Sequence, residues 1–366
     1  MSEFTAADHR FMARALVLAR RGLYCSQPNP RVGCVLVRDG KIIAEGWHRI
    51  AGEPHAEANA LAAAGAQAQG STVYVSLEPC SHYGKTPPCA AALVEAGVST
   101  VIAAMRDPNP KVAGSGFACL RQAGIEVRTG LMQRQAAALN EGFISRVSRG
   151  RPFLRLKMAA SLDGASAMLN GESQWITGAD ARRDVQRLRA MSGAIMTGVA
   201  TVLADDPSLS VRDGSLDTAG RQPLRAVLDS RLGMPANARL LGQEGETLVF
   251  CVDDSNRRPL EDAGASVIAL AADEGRVDPA AVLGTLADLD INEVLVESGP
   301  TLAGSLLAGG FVDELVIYQA PNIMGSETRG IALTAAWSRL EQRMSLTITD
   351  LRKVGTDLRI TARPER

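Results

Sequence analysis

An imidazole and two thiols, His55, Cys80 and Cys89, most strongly constrain how this chain folds. They are the donors that borderline-soft zinc prefers. A fold that uses all three must bring separate backbone segments to one point. His55-Ala56-Glu57 opens an alanine-rich helical pattern that runs from about Pro54 to Ala64. Residues two apart lie about 200° apart around a helix, so His55 and Glu57 can meet one ion only off the helix N-terminal end. Pro54 suits the first turn of such a helix. Pro79-Cys80 directly follows a strand pattern, Thr72–Leu77. That places the thiol at a strand's carboxyl end, where open α/β sheets gather their ligands.

Three protein ligands leave a fourth position for water, as in catalytic rather than structural zinc sites. Zinc lowers the pKa of such a water to about 7. Glu57, which is not a ligand, is placed to carry a proton from it to a departing amine. H-x-E followed by P-C-x-x-C is the pattern of zinc deaminases. In this chain eight residues, Ser81 to Pro88, separate the two cysteines. His82 within that insert is a further donor. A closed structural site therefore stays open as an alternative, as does a set of ordinary buried side chains.

The pattern around these ligands alternates between helix and strand. An amphipathic stretch, Thr5–Arg21, precedes a hairpin formed by Val32–Val37 and Lys41–Trp47 about Asp39-Gly40. Beyond Thr72–Leu77 come a helix at Cys89–Ala96, a strand at Ser99–Met105, and a helix and strand ending near Val127. Gly114-Ser115-Gly116 reads as a loop. The basic, turn-rich run Ser145–Pro152 marks the domain boundary, giving domains 1–148 and 149–366. The pattern then restarts with a strand at Phe153–Ala159, a helix at Ala179–Met191 and a strand at Ala194–Thr197. Further strands fit Leu224–Leu228, Thr247–Val252, Val267–Leu270, Glu293–Glu297 and Asp313–Tyr318, and a hairpin about Gly355 closes the chain. Two α/β layered domains follow from this alternation.

The formal net charge is -1 and only 4% of residues are aromatic, so neither the basic stripe nor the stacking aromatics of a nucleic-acid binder are present. The polar segment Met1–Arg10 has no apolar signal region, and no run approaches the roughly 20 apolar residues of a membrane span. The expectation is a cytoplasmic protein without membrane partners, whose cysteines are thiols or metal ligands rather than disulfides. In the second half, Glu297-Ser298-Gly299-Pro300-Thr301-Leu302-Ala303-Gly304-Ser305 follows a strong strand and opens a helix. Its small residues would let backbone amides approach an anion. It lacks the P-loop lysine, and a plain strand-to-helix turn is the alternative reading of the local pattern.

Pro28–Gly33, Gly52–Glu57 and Leu77–Cys89 resemble the deaminase half of the bifunctional riboflavin-biosynthesis deaminase–reductases, in which the long insert between the cysteines is usual. Lys157–Gly164, Gly171–Thr177, Thr201–Pro207 and Val296–Gly304 resemble the reductase half, so the likeness spans essentially the whole chain. It implies a cytidine-deaminase-like three-layer αβα domain followed by a dihydrofolate-reductase-like α/β domain. It also implies one zinc ion on His55, Cys80 and Cys89, an NADPH cofactor, and self-association through the reductase domain. The implied substrate is a diaminopyrimidinone carrying a ribosylamino 5′-phosphate. That compound loses its exocyclic 2-amine as ammonia, and its ribosyl side chain is then reduced to the ribityl form.

For the deaminase step, Asn29, His48, His82, Lys85 and Thr86 are the expected substrate contacts. For the reductase step, the resemblance places Ala159, Trp175, Thr201, Asp205, Ser230 and Gly299, Pro300, Thr301, Leu302, Ala303, Gly304 and Ser305 along the cofactor. It places Ser173, Arg189, Leu209, Arg212 and Glu297 on the substrate. Arg189 and Arg212 suit the phosphate through their planar, bidentate fork. Lys157 and Asp205 are expected to polarise or protonate the reacting group. Two other classes compete: a zinc-dependent nucleic-acid base deaminase with an accessory domain, and a binding module whose zinc is structural. Chelation would unfold the first domain of the latter.

Overall fold

The computed structural model describes residues 4–81, 87–110, 112–335 and 338–365, and the chain divides into two compact units, Met1–Gly150 and Arg151–Arg366. In the first unit Thr5 caps α1 (Ala6–Ala19). Its hydroxyl accepts from the Asp8 N–H at 3.1 Å, and the Asp8 carboxylate accepts from the Thr5 N–H at 2.8 Å, closing a capping box. The Tyr74 hydroxyl donates to the same carboxylate at 2.6 Å and ties α1 to the sheet. Burial pushes the Asp8 carboxyl up, but these hydrogen bonds outweigh it and hold it below the usual aspartate value.

A hairpin of β1 (Gly33–Arg38) and β2 (Lys41–Trp47) turns on Asp39 and Gly40, both left-handed at φ 50° and 70°. This is the geometry that matches the twist of the flanking strands. Then follow α2 (Ala56–Ala64), β3 (Thr72–Val75), α3 (Cys89–Glu95), β4 (Thr100–Ala103), α4 (Ser115–Gln122), β5 (Glu126–Thr129), α5 (Gln133–Leu139) and α6 (Glu141–Arg149). The sheet order is β2-β1-β3-β4-β5, with β1 antiparallel to both neighbours and the last three strands parallel.

Two glycines set the layers. A Cβ on Gly33 would lie 2.1 Å from the Ala15 carbonyl of α1, and one on Gly46 would lie 2.2 Å from the Ala56 carbonyl of α2. Gly46 pairs with Cys34, the neighbour of Gly33. Successive strand residues point to opposite faces, so α1 and α2 cover opposite faces of the sheet. The unit is a three-layer αβα sandwich.

Several local expectations are corrected. His55 is the N-cap of α2, which starts at Ala56, so Pro54 precedes the helix instead of occupying its first turn. Strand β3 ends at Val75, which leaves Cys80 in the loop beyond it. Gly114-Ser115-Gly116 is no loop but the start of α4, with Gly114 capping at φ 92°. Ser145–Arg149 is the last part of α6, closed by Gly150 at φ 66°. Arginines in a final turn before a left-handed glycine are the marks of a helix C-terminus, which composition alone disguises as a linker.

The second unit begins with β6 (Phe153–Ala160), β7 (Ala165–Met168), α7 (Ala179–Met191), β8 (Ala194–Gly198), α8 (Val199–Asp205), β9 (Leu224–Leu228), β10 (Thr247–Cys251), α9 (Arg258–Asp262) and β11 (Ser266–Ala269). A short ladder of β12 (Ala272–Asp273) and β13 (Arg276–Val277) leads to α10 (Pro279–Asp288), β14 (Glu293–Glu297), α11 (Pro300–Ala308), β15 (Glu314–Gln319), β16 (Thr328–Gly330), β17 (Leu346–Val354) and β18 (Asp357–Pro364). The main sheet runs β11-β10-β9-β8-β14-β6-β15-β18-β17. All neighbours from β11 to β15 are parallel, and the terminal hairpin adds antiparallel strands at one edge.

The central strands read as near-continuous apolar runs because both faces are covered. Leu154, Leu156, Val294 and Val296 pack with Leu283, Leu286 and Leu306, while Leu295, Val316 and Tyr318 pack with Val185 and Leu188 of α7. Among the described residues no helix is long and apolar enough to cross a membrane.

Because Gly46 sets the seat of α2, Gly46→Ala is expected to overpack that contact and destabilise the first unit by about 1–3 kcal/mol. Chemical denaturation of the purified protein checks this; an unchanged midpoint would show that α2 can move outward freely.

Candidate active sites

The first site is built from helix starts. His55 caps α2, Glu57 lies in its first turn, and Cys89 is the first residue of α3. Cys80 reaches them from the loop after β3, anchored by the Ala90 N–H on its carbonyl at 3.0 Å and the Cys89 N–H on its sulfur at 3.3 Å. His55 Nδ1 lies 3.6 Å from the Cys80 sulfur and 3.3 Å from the Cys89 sulfur, and the three donor atoms all lie within 4.8 Å of one another. A tetrahedral zinc ion with ordinary bond lengths would hold nitrogen and sulfur about 3.6 Å apart. The donor set and its spacing therefore fit zinc.

A hydrogen bond from Cys89, supported by His55 and opposed by burial, pulls the Cys80 thiol down to about 4. Thiolates are favoured in this way at helix N-termini and beside cationic groups. Glu57 is buried, and that burial together with the negative Cys80 sulfur pushes its carboxyl up to about 7.

Of the expected substrate contacts, His48 is buried, with Nδ1 3.2 Å from the Pro54 carbonyl and Nε2 3.0 Å from the Asn29 amide nitrogen. The carbonyl can only accept, so Nδ1 carries the proton and Nε2 accepts from Asn29. The ring stands edge-on to His55 with centroids 5.1 Å apart. His48 thus supports the site from behind, and Asn29 is the member of the pair with an atom left over. His82, Lys85 and Thr86 lie outside the described residues.

Glu78 was not expected to matter beyond its place in the motif. Its carboxylate accepts from the backbone N–H groups of Asp107 (3.1 Å), Gly114 (3.0 Å), Gly116 (3.0 Å) and Phe117 (3.3 Å). A glycine pair placed where an acidic residue can meet a helix start was the available sequence signal.

In the second unit Lys157 of β6 and Glu297 of β14 are register partners on adjacent parallel strands. Burial pulls the Lys157 ammonium down, and Glu297 opposes this only in part. Arg189 of α7 grips the Glu297 carboxylate with Nε at 2.6 Å and Nη2 at 3.1 Å, while its Nη1 donates to the Ser210 carbonyl at 3.0 Å. Three of its five N–H donors are thus engaged within the protein, and Arg189 sits in the same cluster as Glu297, the other residue expected on the substrate. The strand-to-helix turn is pinned from β8 and α8: the Thr197 hydroxyl donates to the Glu297 carbonyl at 2.7 Å, and the Thr201 hydroxyl accepts from the Gly299 N–H at 3.1 Å.

Other expected residues divide between site and core. Pro300, Thr301 and Leu302 form the first turn of α11, and Ser305 is exposed one turn on. Ala303 is packed in the core, and Gly304 is bare because a Cβ would strike the Leu333 carbonyl at 1.8 Å. Leu209 likewise points into the core. The Ser230 hydroxyl is used by the Val277 N–H at 3.0 Å. These four can present only backbone or the far side of a hydrogen bond to a ligand.

Ala159 and Ser173 are half-buried, and Asp205 is exposed, with the Gln174 amide 3.4 Å from its carboxylate. Trp175 is 70% exposed, with the Arg182 guanidinium 4.6 Å above its ring. Arg212 lines an open basin with Arg182, Arg183, Gln186, Asp213 and Ser215. Arg182 and Arg183 were not among the expected residues; the basic face they add to α7 is their sequence signal.

A His/Cys/Cys metal cluster with a buried glutamate beside it, on an αβα sandwich, defines a zinc-dependent deaminase domain. It is joined to a parallel-sheet reductase-type domain. The family model described as "Cytidine and deoxycytidylate deaminase zinc-binding region" matches residues 5–105, and that described as "RibD C-terminal domain" matches 152–359. The chain is 48% identical to the riboflavin biosynthesis protein RibD of Escherichia coli over 96% of this chain and 98% of that one. It is 44% identical to RibD of Haemophilus influenzae over 100% of both chains. The solved structure of Acinetobacter baumannii RibD superposes with a TM-score of 0.93 at 44% identity over 98% of this chain and 99% of that one. The Thermotoga maritima diaminohydroxyphosphoribosylaminopyrimidine deaminase/5-amino-6-(5-phosphoribosylamino)uracil reductase gives 0.87 at 33% identity over 98% of this chain and 99% of that one.

The chain belongs to the RibD family of riboflavin biosynthesis and is a bifunctional enzyme, deaminase in its first domain and reductase in its second.

The two arginines should behave differently. Arg189→Ala leaves the half-buried Glu297 unpaired and is expected to cost the second unit about 3–5 kcal/mol. Arg212→Ala, at an exposed position, should change stability by no more than about 0.5 kcal/mol while raising the reductase KM. Thermal melts paired with steady-state kinetics separate the two, and equal melting losses would contradict the assignment.

Proposed function

We propose that this protein hydrolyses the exocyclic 2-amine of a diaminopyrimidinone carrying a ribosylamino 5′-phosphate, and then reduces the ribosyl side chain of the aminouracil with NADPH. The observation that carries the first step is the convergence of His55 Nδ1 with both cysteine sulfurs at 3.3 and 3.6 Å, beside a buried glutamate. The Thermotoga maritima relative, named as a diaminohydroxyphosphoribosylaminopyrimidine deaminase and 5-amino-6-(5-phosphoribosylamino)uracil reductase, supports the substrate. Zinc held by His55, Cys80 and Cys89 supplies Lewis-acid activation of water. Glu57 receives a proton from the attacking water and delivers it to the amine, the C–N bond breaks, and ammonia leaves. Asn29, with its amide nitrogen spent on His48, offers its oxygen to the pyrimidine.

In the second step NADPH supplies the hydride, and the protein orients the reactants and manages one proton. In the turn from Ser298 to Leu302, Thr301 and Leu302 offer the free first-turn amides of α11 to the cofactor. The Ser298 hydroxyl, buried without a partner among the described residues, lies in this turn. The hydride adds to C1 of the opened ribosylamine, and the C1=N electron pair moves to nitrogen. Lys157, with Glu297 as its register partner, is placed to polarise that bond or protonate the nitrogen, with Asp205 as its exposed counterpart. Arg212, with Arg182 and Arg183, takes the substrate phosphate, and Arg189 holds Glu297 beside it. Copies associate through the second unit, where edge strand β17 exposes Leu346, Ile348 and Leu351. The enzyme acts in the cytoplasm.

Glu57→Gln is expected to keep zinc while lowering deamination by about 10²–10⁴-fold, with reduction of preformed aminouracil phosphate unaffected. Ammonia release and NADPH oxidation, assayed separately, check this; parallel loss of both activities would contradict two independent sites.

A further inference from the structure

Glu78 is a buried carboxylate that no cation pairs with among the described residues, and four backbone N–H groups fill its two oxygens. It lies two residues before Cys80. The intervening Pro79 carbonyl rests on Gly116, where an added Cβ would come within 2.0 Å of it. On the other side of Cys80, the Ser81 hydroxyl lies 2.6 Å from the Ser115 hydroxyl. The N-terminus of α4 therefore grips the chain at residues 78, 79 and 81, on both sides of a metal ligand that makes no contact with α4 itself in the hydrogen bonds described.

We infer that Glu78 is a positioning residue: its carboxylate, seated on the start of α4, fixes the Cys80 sulfur and thereby sets how tightly the first domain holds its metal. This rests on the reading that His55, Cys80 and Cys89 bind zinc. The geometry leaves little slack. An ionised carboxylate accepts through both oxygens, whereas glutamine accepts through one and turns an NH₂ group toward donors. Glu78→Gln would therefore leave two N–H groups facing an amide nitrogen, and the strain would pass through a single proline to the sulfur. The opposite restraints on Cys80, from Ala90 and Cys89, belong to α3. The sulfur is thus stretched between two helix starts, and only the α4 side depends on Glu78. Coupling is reciprocal, so bound metal must in turn steady the Glu78 clamp.

The test uses the full-length, zinc-loaded protein. Wild type should carry one zinc per chain; its absence would overturn the zinc reading and this inference together, whereas a zinc-bearing wild type leaves the variant to decide the inference alone. Glu78→Gln should bind zinc about 10- to 100-fold more weakly, the loss of affinity seen when groups behind metal ligands are altered, and should release it to a chelator correspondingly faster. Its cobalt-substituted form should show a weakened tetrahedral absorption band. Its deaminase kcat should fall with KM little changed, and reductase turnover should match wild type. A folded Glu78→Gln protein with the wild-type release rate and cobalt spectrum overturns the inference. A second measurement does not depend on the variant folding. Stripping zinc from wild type should speed amide exchange at Gly114, Gly116 and Phe117 while Val101 and Ile102 of β4 stay protected. Unchanged protection at those three amides would also overturn it.

Discussion

His55, Cys80 and Cys89 come from a helix cap, a loop and a helix start, and their donor atoms converge at distances one tetrahedral ion satisfies. Almost everything else about the first domain serves that convergence. The absent side chain of Gly46 lets α2 lie directly on β2, and the absent side chain of Gly116 lets the Cys80 loop lie on α4. The positive ends of α2 and α3 face the cluster, which favours the thiolate forms that bind metal. Glu57 is the one acid carried into this field without being a ligand. Its high pKa follows from burial next to negative sulfur, and it suits a group that must both take and give a proton near neutrality.

The second domain solves a different problem, holding opposite charges in a mostly apolar sheet. Lys157 and Glu297 sit side by side on parallel strands at the end of the sheet where the strand-to-helix connections emerge. Arg189 neutralises Glu297 from α7 and also satisfies the Ser210 carbonyl. Such a pair costs desolvation and gains it back only with full hydrogen bonding, so its value lies in orienting Glu297 and in keeping Lys157 from forming a simple ion pair. Carboxyl ends of parallel strands are where ligands bind in open α/β sheets, and Glu297, the last residue of β14, lies at that end.

Much of this was legible in the sequence. The metal ligands were fixed by donor chemistry and spacing, and the helix Ala179–Met191 and the strands Leu224–Leu228 and Glu293–Glu297 coincide with the observed elements. The errors have physical causes. Gly114-Ser115-Gly116 looked like a loop because its role, receiving Glu78 from a segment 36 residues earlier, is tertiary. Ser145–Arg149 looked like a linker because a helix C-terminus and a linker share basic and small residues. The pairing of Arg189 with an acid 108 residues away is likewise tertiary, and no local pattern reveals it. Ala303, Gly304 and Leu209 turn inward through helix phase and backbone conformation, a burial that a segment's residue types do not display.

The most direct test of the account is an ordered turnover experiment on the zinc-loaded protein with the diaminopyrimidinone ribosylamino phosphate. Ammonia should appear in the absence of NADPH, and NADPH should be consumed only once deaminated product has formed. Chelation should stop the first signal but not the reduction of supplied aminouracil. NADPH oxidation that precedes or proceeds without ammonia release would contradict the assignment of the two steps to these two sites.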